Sequence, residues 1–207
     1  MFKREQMISV QAFHLRRCIC GMMAAFLISG CFSHGDWRVE EVAGHLPDLE
    51  FTLTADDGGA ATAKTYGGYT LLMYFGFTSC KTECPVSMAR LAHVMQLLGK
   101  NADRVRILFV TLDPEHDGPP VLRRYITQFD AERTVGLTGS PADIQSLTKR
   151  YRVAYRPRSK AGNGGGITHG DAIYIFDSQG RARLLATSSH PDEDVAEDIR
   201  RLLKAGH

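Results

Sequence analysis

Cys80 and Cys84 are separated by three residues within the run Gly76-Phe77-Thr78-Ser79-Cys80-Lys81-Thr82-Glu83-Cys84-Pro85. A cysteine pair this close supports a disulfide, a dithiol redox couple or a metal site. On a helix, positions i and i+4 share a face with Cβ atoms roughly 5–6 Å apart, and disulfides span Cα separations of about 4.4–6.8 Å. Held open, the pair offers two thiolates to one ion, and soft sulfur donors select Cu(I) or Zn(II) over hard cations. A helix N-terminus and Lys81 both favour thiolate here. A purely structural disulfide would close a loop too short to gain much entropy. A defined metal site needs a further donor, and His169, in Ile167-Thr168-His169-Gly170-Asp171, is the candidate. Two sulfurs and one imidazole nitrogen suit Cu(I) and also accept Cu(II).

These residues need elements to hold them. Tyr69–Phe75 is a continuous apolar run, the pattern of a strand buried on both faces. The cysteine pair follows it, and Cys84-Pro85 opens a helix whose Met88, Leu91, Ala92, Met95 and Leu98 recur at core-facing spacing. That spacing makes the methionines core residues rather than metal ligands. Further on, Val105–Leu112 reads as a buried strand and Pro119-Pro120 as the start of a helix capped by Asp117 or Gly118. Thr134–Leu137 is a short strand, and Ser140-Pro141 caps the next helix. Residues 154–167 read as loop, glycine-rich at 161–166. Ala172–Phe176 and Ala182–Ala186 form a hairpin about Asp177-Ser178-Gln179-Gly180, and His190-Pro191 precedes a last helix. Near the start, Leu49–Leu53 alternates like a half-buried strand ahead of the turn Asp56-Asp57-Gly58-Gly59.

Alternating β and α elements predict an α/β fold of thioredoxin-like type, with an N-terminal β-hairpin extension and a C-terminal β-hairpin plus helix. In such a fold the loop before the strand at 172–176 faces the helix N-terminus bearing the cysteines, which brings His169 toward both sulfurs. Sites in open α/β sheets lie at the carboxyl ends of strands, where the pair falls.

The formal net charge of +2 comes from the N-terminus: residues 1–30 hold Lys3, Arg4, Arg16 and Arg17 against Glu5, leaving 21 basic and 22 acidic residues for 31–207. This body has no electrostatic pull toward nucleic acid. Arg16-Arg17 precede an uncharged run whose apolar heart, Cys18–Ile28, has the length of a signal-peptide core. The run ends Leu27-Ile28-Ser29-Gly30-Cys31, which resembles a bacterial lipobox with Cys31 as the lipidated residue. The expected organisation is a lipoprotein-type signal peptide at 1–30, a tether at 31–46 and one domain at 47–207. An uncleaved anchor is the alternative, and both readings export the body and hold it at a membrane.

The body resembles the Sco/SenC family of copper chaperones over roughly residues 45–205. The landmarks are Phe75–Pro85, Asp113-Pro114-Glu115-His116-Asp117, Gly136-Leu137-Thr138-Gly139-Ser140, and His169 ahead of Tyr174-Ile175-Phe176-Asp177. The resemblance implies Cys80, Cys84 and His169 as ligands of copper, as Cu(I) or Cu(II), with Cys80 and Cys84 doubling as a redox pair. It implies a metallochaperone more than an enzyme. Such a protein delivers copper to the dinuclear centre of cytochrome c oxidase subunit II or to another exported copper protein, reduces the cysteines of that centre, or does both. It would act on the extracytoplasmic side of a bacterial envelope membrane, held by lipid. Many relatives carry proline where Lys81 stands. A metal-free thiol–disulfide oxidoreductase acting on exported proteins is the alternative, needing both cysteines but not His169. A peroxidase on this fold would need threonine where Phe77 stands. Asp113, at a strand exit on the same sheet edge, either shapes that exit or supports a ligand from behind. Asp117 reads as the helix cap, and His116 as an exposed loop residue. His34, His45, His93, His190 and His207 show no ligand-like pairing, and the Arg150–Arg158 cluster reads as a solvated face.

Overall fold

The computed structural model describes residues 36–156 and 167–205; the proposed leader, Cys31 and the glycine-rich stretch lie outside them. Ten strands are described: β1 (Glu40–Glu41), β2 (Thr52–Ala55), β3 (Ala60–Thr62), β4 (Thr70–Gly76), β5 (Val105–Thr111), β6 (Thr134–Thr138), β7 (Tyr155–Arg156), β8 (Thr168–His169), β9 (Ile173–Phe176) and β10 (Ala182–Ala186). Four helices accompany them: α1 (Glu83–Leu98), α2 (Pro119–Ile126), α3 (Pro141–Arg150) and α4 (Asp192–Lys204).

Eight strands make one mixed sheet in the order β1-β10-β9-β4-β5-β6-β2-β3, and β7 and β8 form a separate ribbon. β4, β5 and β6 are parallel, and β9 joins β4 antiparallel with Tyr74 opposite Ile173. β4 is buried at every position, as its unbroken apolar run requires of a central strand.

Strand alternation sorts the helices between the two faces. Tyr74, Phe109 and Gly136 lie abreast on one face. There Cys84 of α1 approaches Gly76, and Leu122 of α2 packs close over Gly136. α4 lies along α1: Arg90 of α1 ion-pairs with Asp192 and donates to the Thr187 carbonyl at 2.6 Å, while Arg200 of α4 donates to the Leu97 carbonyl at 2.5 Å. On the opposite face, Tyr151 at the end of α3 packs edge-on against Phe176 and tilts against Tyr174. Helices on both faces of a largely parallel centre are the architecture expected from the element order.

Local chemistry explains the element ends. Ser140 caps α3 by accepting from the Asp143 N–H at 3.1 Å, and the Asp143 carboxylate accepts from the Ser140 N–H in return. Asp177 is fully buried at the β9–β10 turn, where it accepts from the N–H groups of Gln179 and Arg181 and from the guanidiniums of Arg181 and Arg183.

Three boundaries differ from the sequence reading. The tether was expected to reach residue 46, but β1 pairs with β10 and Val39 and Val42 are buried, so the chain is packed from about Trp37. Two hydrogen-bonded residues are too few for a periodic signal. The strand expected at Leu49–Leu53 begins at Thr52, because Leu49 and Phe51 are buried without joining the ladder. The stretch expected as loop at 154–167 includes β7, which pairs Tyr155 with His169.

Candidate metal centre

The site forms where β4 ends. Gly76 closes the strand, and a turn marked by the Cys80 N–H donating to the Phe77 carbonyl at 3.2 Å brings Cys80 to the foot of α1. Only Cys84 is helical; Cys80 reaches it through this turn and not by the i, i+4 spacing of a helix. Thr82 occupies the N-cap of α1 without a side-chain cap bond. The Cys84 N–H instead points at Cys80 Sγ, at 3.4 Å, so a sulfur stands where a capping oxygen would. Both cysteines are free thiols.

Asp117 fixes the turn. Its carboxylate is 1% exposed and accepts from the Thr78 N–H at 2.9 Å, Thr78 Oγ1 at 2.5 Å and Thr111 Oγ1 at 2.7 Å. The sequence reading offered Asp117 or Gly118 as the helix cap and gave Asp117 that role. The cap of α2 is Gly118, and Asp117 turns inward to tie the cysteine loop to the end of β5. Asp113 joins the same network through its backbone, its N–H donating to Thr111 Oγ1, while its carboxylate meets the Nδ1 of the exposed His116 at 2.7 Å.

His169 is carried by β8, in the ribbon outside the main sheet. Its backbone is steadied by β7 and by the Gly170 N–H donating to the Ala154 carbonyl. Tyr155 of β7 donates its hydroxyl to the Leu112 carbonyl, linking the ribbon to the exit of β5. Downstream, the Asp171 carboxylate accepts the Ser188 N–H at 2.7 Å. The imidazole stands edge-on to Tyr74 at 5.9 Å and to Phe77 at 5.8 Å. Its Nδ1 lies 2.7 Å from the Gly170 carbonyl. A carbonyl only accepts, so Nδ1 carries a proton and Nε2 is the nitrogen left facing the sulfurs. That nitrogen is 3.2 Å from Cys84 Sγ.

The two sulfurs and the imidazole nitrogen all lie within 4.8 Å of one another. No other such cluster of three occurs among the described residues. The thiols differ. Burial works against charge on Cys80, but the N–H groups of Cys84, Thr82 and Glu83 and the Cys84 side chain outweigh it and hold the Cys80 thiol below its ordinary value. Lys81, expected to help, is exposed and not among the principal influences. Burial pushes Cys84 up to about 12, so it keeps its proton and donates it toward His169 Nε2. Chemically, the trio can hold a soft ion by replacing that proton, or act as a nucleophilic thiol backed by a buried partner.

Three supporting residues escaped the sequence reading: Tyr74, Phe77 and Gly76. A Cβ on Gly76 would lie 2.9 Å from Phe109 Cε2 and 3.1 Å from both Cys84 Sγ and Tyr74 Cε1, so only glycine lets the sulfur sit against the strand. Gly76→Ala should cost about 1–3 kcal/mol of stability and weaken metal binding, since overpacking must push the sulfur aside. Thermal unfolding and metal titration of the variant check both.

The comparisons with known proteins agree with this geometry. The SCO1/SenC family profile matches residues 43–204. A mitochondrial SCO2 homologue of Mus musculus is 33% identical over 76% of this chain and 63% of its own. A SCO2-like protein of Rickettsia prowazekii is 31% identical over 63% of this chain and 64% of its own. The chain thus spans less than two thirds of the length of these two relatives. Among solved structures, copper-bound ScoI of Bradyrhizobium japonicum superposes with a TM-score of 0.67 at 32% identity, covering 75% of this chain and 99% of that one. Copper-bound yeast Sco1 gives a TM-score of 0.68 at 27% identity, over 77% and 89%. A thioredoxin-like sheet that sets two cysteines and one histidine at its carboxyl edge, together with a profile match spanning most of the chain, places this protein in the SCO1/SenC family.

Proposed function

We propose that the protein is a copper carrier for cytochrome c oxidase assembly, binding one copper ion through Cys80 Sγ, Cys84 Sγ and His169 Nε2. The convergence of these three donor atoms within 4.8 Å carries the reading. Two sulfurs and one nitrogen favour copper over hard cations, and the solved relatives with copper bound support the choice. In this reading Cys84 loses its proton as the metal binds. Asp117 and Asp113 keep the loops around the site in place. The recipient is the dinuclear copper centre of oxidase subunit II, by metal delivery, by reduction of its cysteines, or by both.

Copper titration of the reduced chain tests this. About one copper per chain, with competition-measured affinity falling in Cys80→Ala, Cys84→Ala and His169→Ala, supports the reading. No tight copper in the wild type would sink it. The unequal thiols favour one second reading, a thiol–disulfide reductase with Cys80 as nucleophile. A His169→Ala variant that keeps full cellular function would select it.

The proposed setting is the extracytoplasmic face of a bacterial envelope membrane, with residues 1–30 removed and lipid on Cys31. The support is the sequence Leu27-Ile28-Ser29-Gly30-Cys31 after an apolar core. Among the described residues no helix is long and apolar enough to cross a membrane. Cys31→Ser should abolish incorporation of labelled fatty acid, and unchanged labelling would refute the anchor.

A further inference from the structure

The layer beneath the sulfurs contains a polar atom that nothing in the metal-free site uses. Tyr74 is completely buried on β4, and its hydroxyl has no hydrogen-bond partner. Leaving a buried hydroxyl unpaired is costly, and such groups in folded proteins call for an explanation. Its position supplies one. Tyr74 Cε1 and Cys84 Sγ each lie 3.1 Å from the point a Gly76 Cβ would occupy, so the ring and the sulfur are neighbours beside the glycine. The same ring stands edge-on to the imidazole of His169. Ser87 and Cys84 stand close enough to influence the phenol as hydrogen-bonding neighbours, but neither meets its hydroxyl in the geometry of a formed hydrogen bond.

A thiol sulfur is a poor acceptor, and the Cys84 thiol already directs its proton toward His169. A metal-bound thiolate is different: it carries negative charge and attracts a donor. We propose that the Tyr74 hydroxyl is a donor reserved for the Cys84 thiolate, engaged when copper replaces the thiol proton, and that it biases the site toward Cu(I). This rests on the copper reading given above. When the ion binds, the Cys84 S–H bond breaks, the S–Cu bond forms and the proton passes to solvent. The phenol keeps its own proton and turns it to the sulfur. An O–H···S bond draws electron density from sulfur, and Cu(II) depends on that density more than Cu(I), so the bond favours the reduced ion. Tyr74 thereby acts as a positioning residue through Cys84.

The test is Tyr74→Phe in the full chain, measured beside the wild type with Cu(I) and Cu(II). The metal-free variant should melt no lower than the wild type, because the lost hydroxyl had no partner. The ratio of Cu(II) to Cu(I) association constants should rise about tenfold, the size of one hydrogen bond to a charged acceptor. The sulfur-to-Cu(II) charge-transfer band should move to lower energy. A metal-free variant that melts lower shows that the hydroxyl already had a partner and overturns the proposal. An unchanged ratio and band, with wild-type protein that binds copper, overturns it alone. A wild type that binds no copper removes the carrier reading and this inference with it.

Discussion

Replacing His169 by alanine should lower Cu(II) affinity by at least about a hundredfold, more than the 10–100-fold typical of losing only a supporting hydrogen bond. Cu(I) affinity should fall less. Cu(I) is soft and tolerates two thiolates alone, whereas Cu(II) gains much from an imidazole nitrogen. Nothing else among the described residues stands ready to substitute, because no other cysteine, histidine or carboxylate joins the cluster. The fold should survive, since the ribbon pairs through backbone atoms and the ring's polar contacts go only to the adjacent Gly170 carbonyl and to Cys84 within the site. Parallel titrations with Cu(II) and with Cu(I) under a competing chelator check this. Equal losses for both ions would mean that the histidine supports the loop and does not bind the metal.

Asp117→Ala should destabilise the domain by about 3 kcal/mol or more, because it leaves the Thr78 N–H and two hydroxyls without an acceptor in the interior. For a domain of this size that amounts to a fall of roughly 6–12 °C in melting temperature. Metal affinity should fall as well, since the turn that presents Cys80 loses its anchor while all three ligands remain. Asp117→Asn should lie between wild type and Asp117→Ala, because an amide oxygen in the place of Oδ2 still accepts two of the three bonds. Thermal unfolding with and without copper separates the two effects. Wild-type stability in Asp117→Ala would show that water or a neighbour replaces the carboxylate.

The elements that hold the cysteines and His169 in place were readable where their patterns are long. The unbroken apolar β4, the helical spacing of Met88, Leu91 and Met95 in α1, and the Asp177 turn all follow from local sequence. The pairing of Cys80, Cys84 and His169 was readable from residue chemistry joined to fold order. What escaped has a common cause. β7 and β8 are two residues each, below any periodic signal, although they carry and hold His169. Asp117 precedes the two prolines of a helix start, a local context that suits a cap; its real partners, Thr78 and Thr111, lie 39 and 6 residues away and meet it only after β4 and β5 pair. Tyr74 reads as one more apolar residue of a strand, and only the cross-strand geometry shows its hydroxyl stranded beside a thiol.

The rims of the large sheet limit how another protein can attach. Among the described residues its outermost strands are β1, of two residues, and β3, of three. Rims this short offer few free main-chain donors and acceptors, so a visiting chain gains little by adding itself as a further strand. Copies of the domain crowded together are likewise protected from joining rim to rim. Strand addition at these rims is therefore a poor route for attachment.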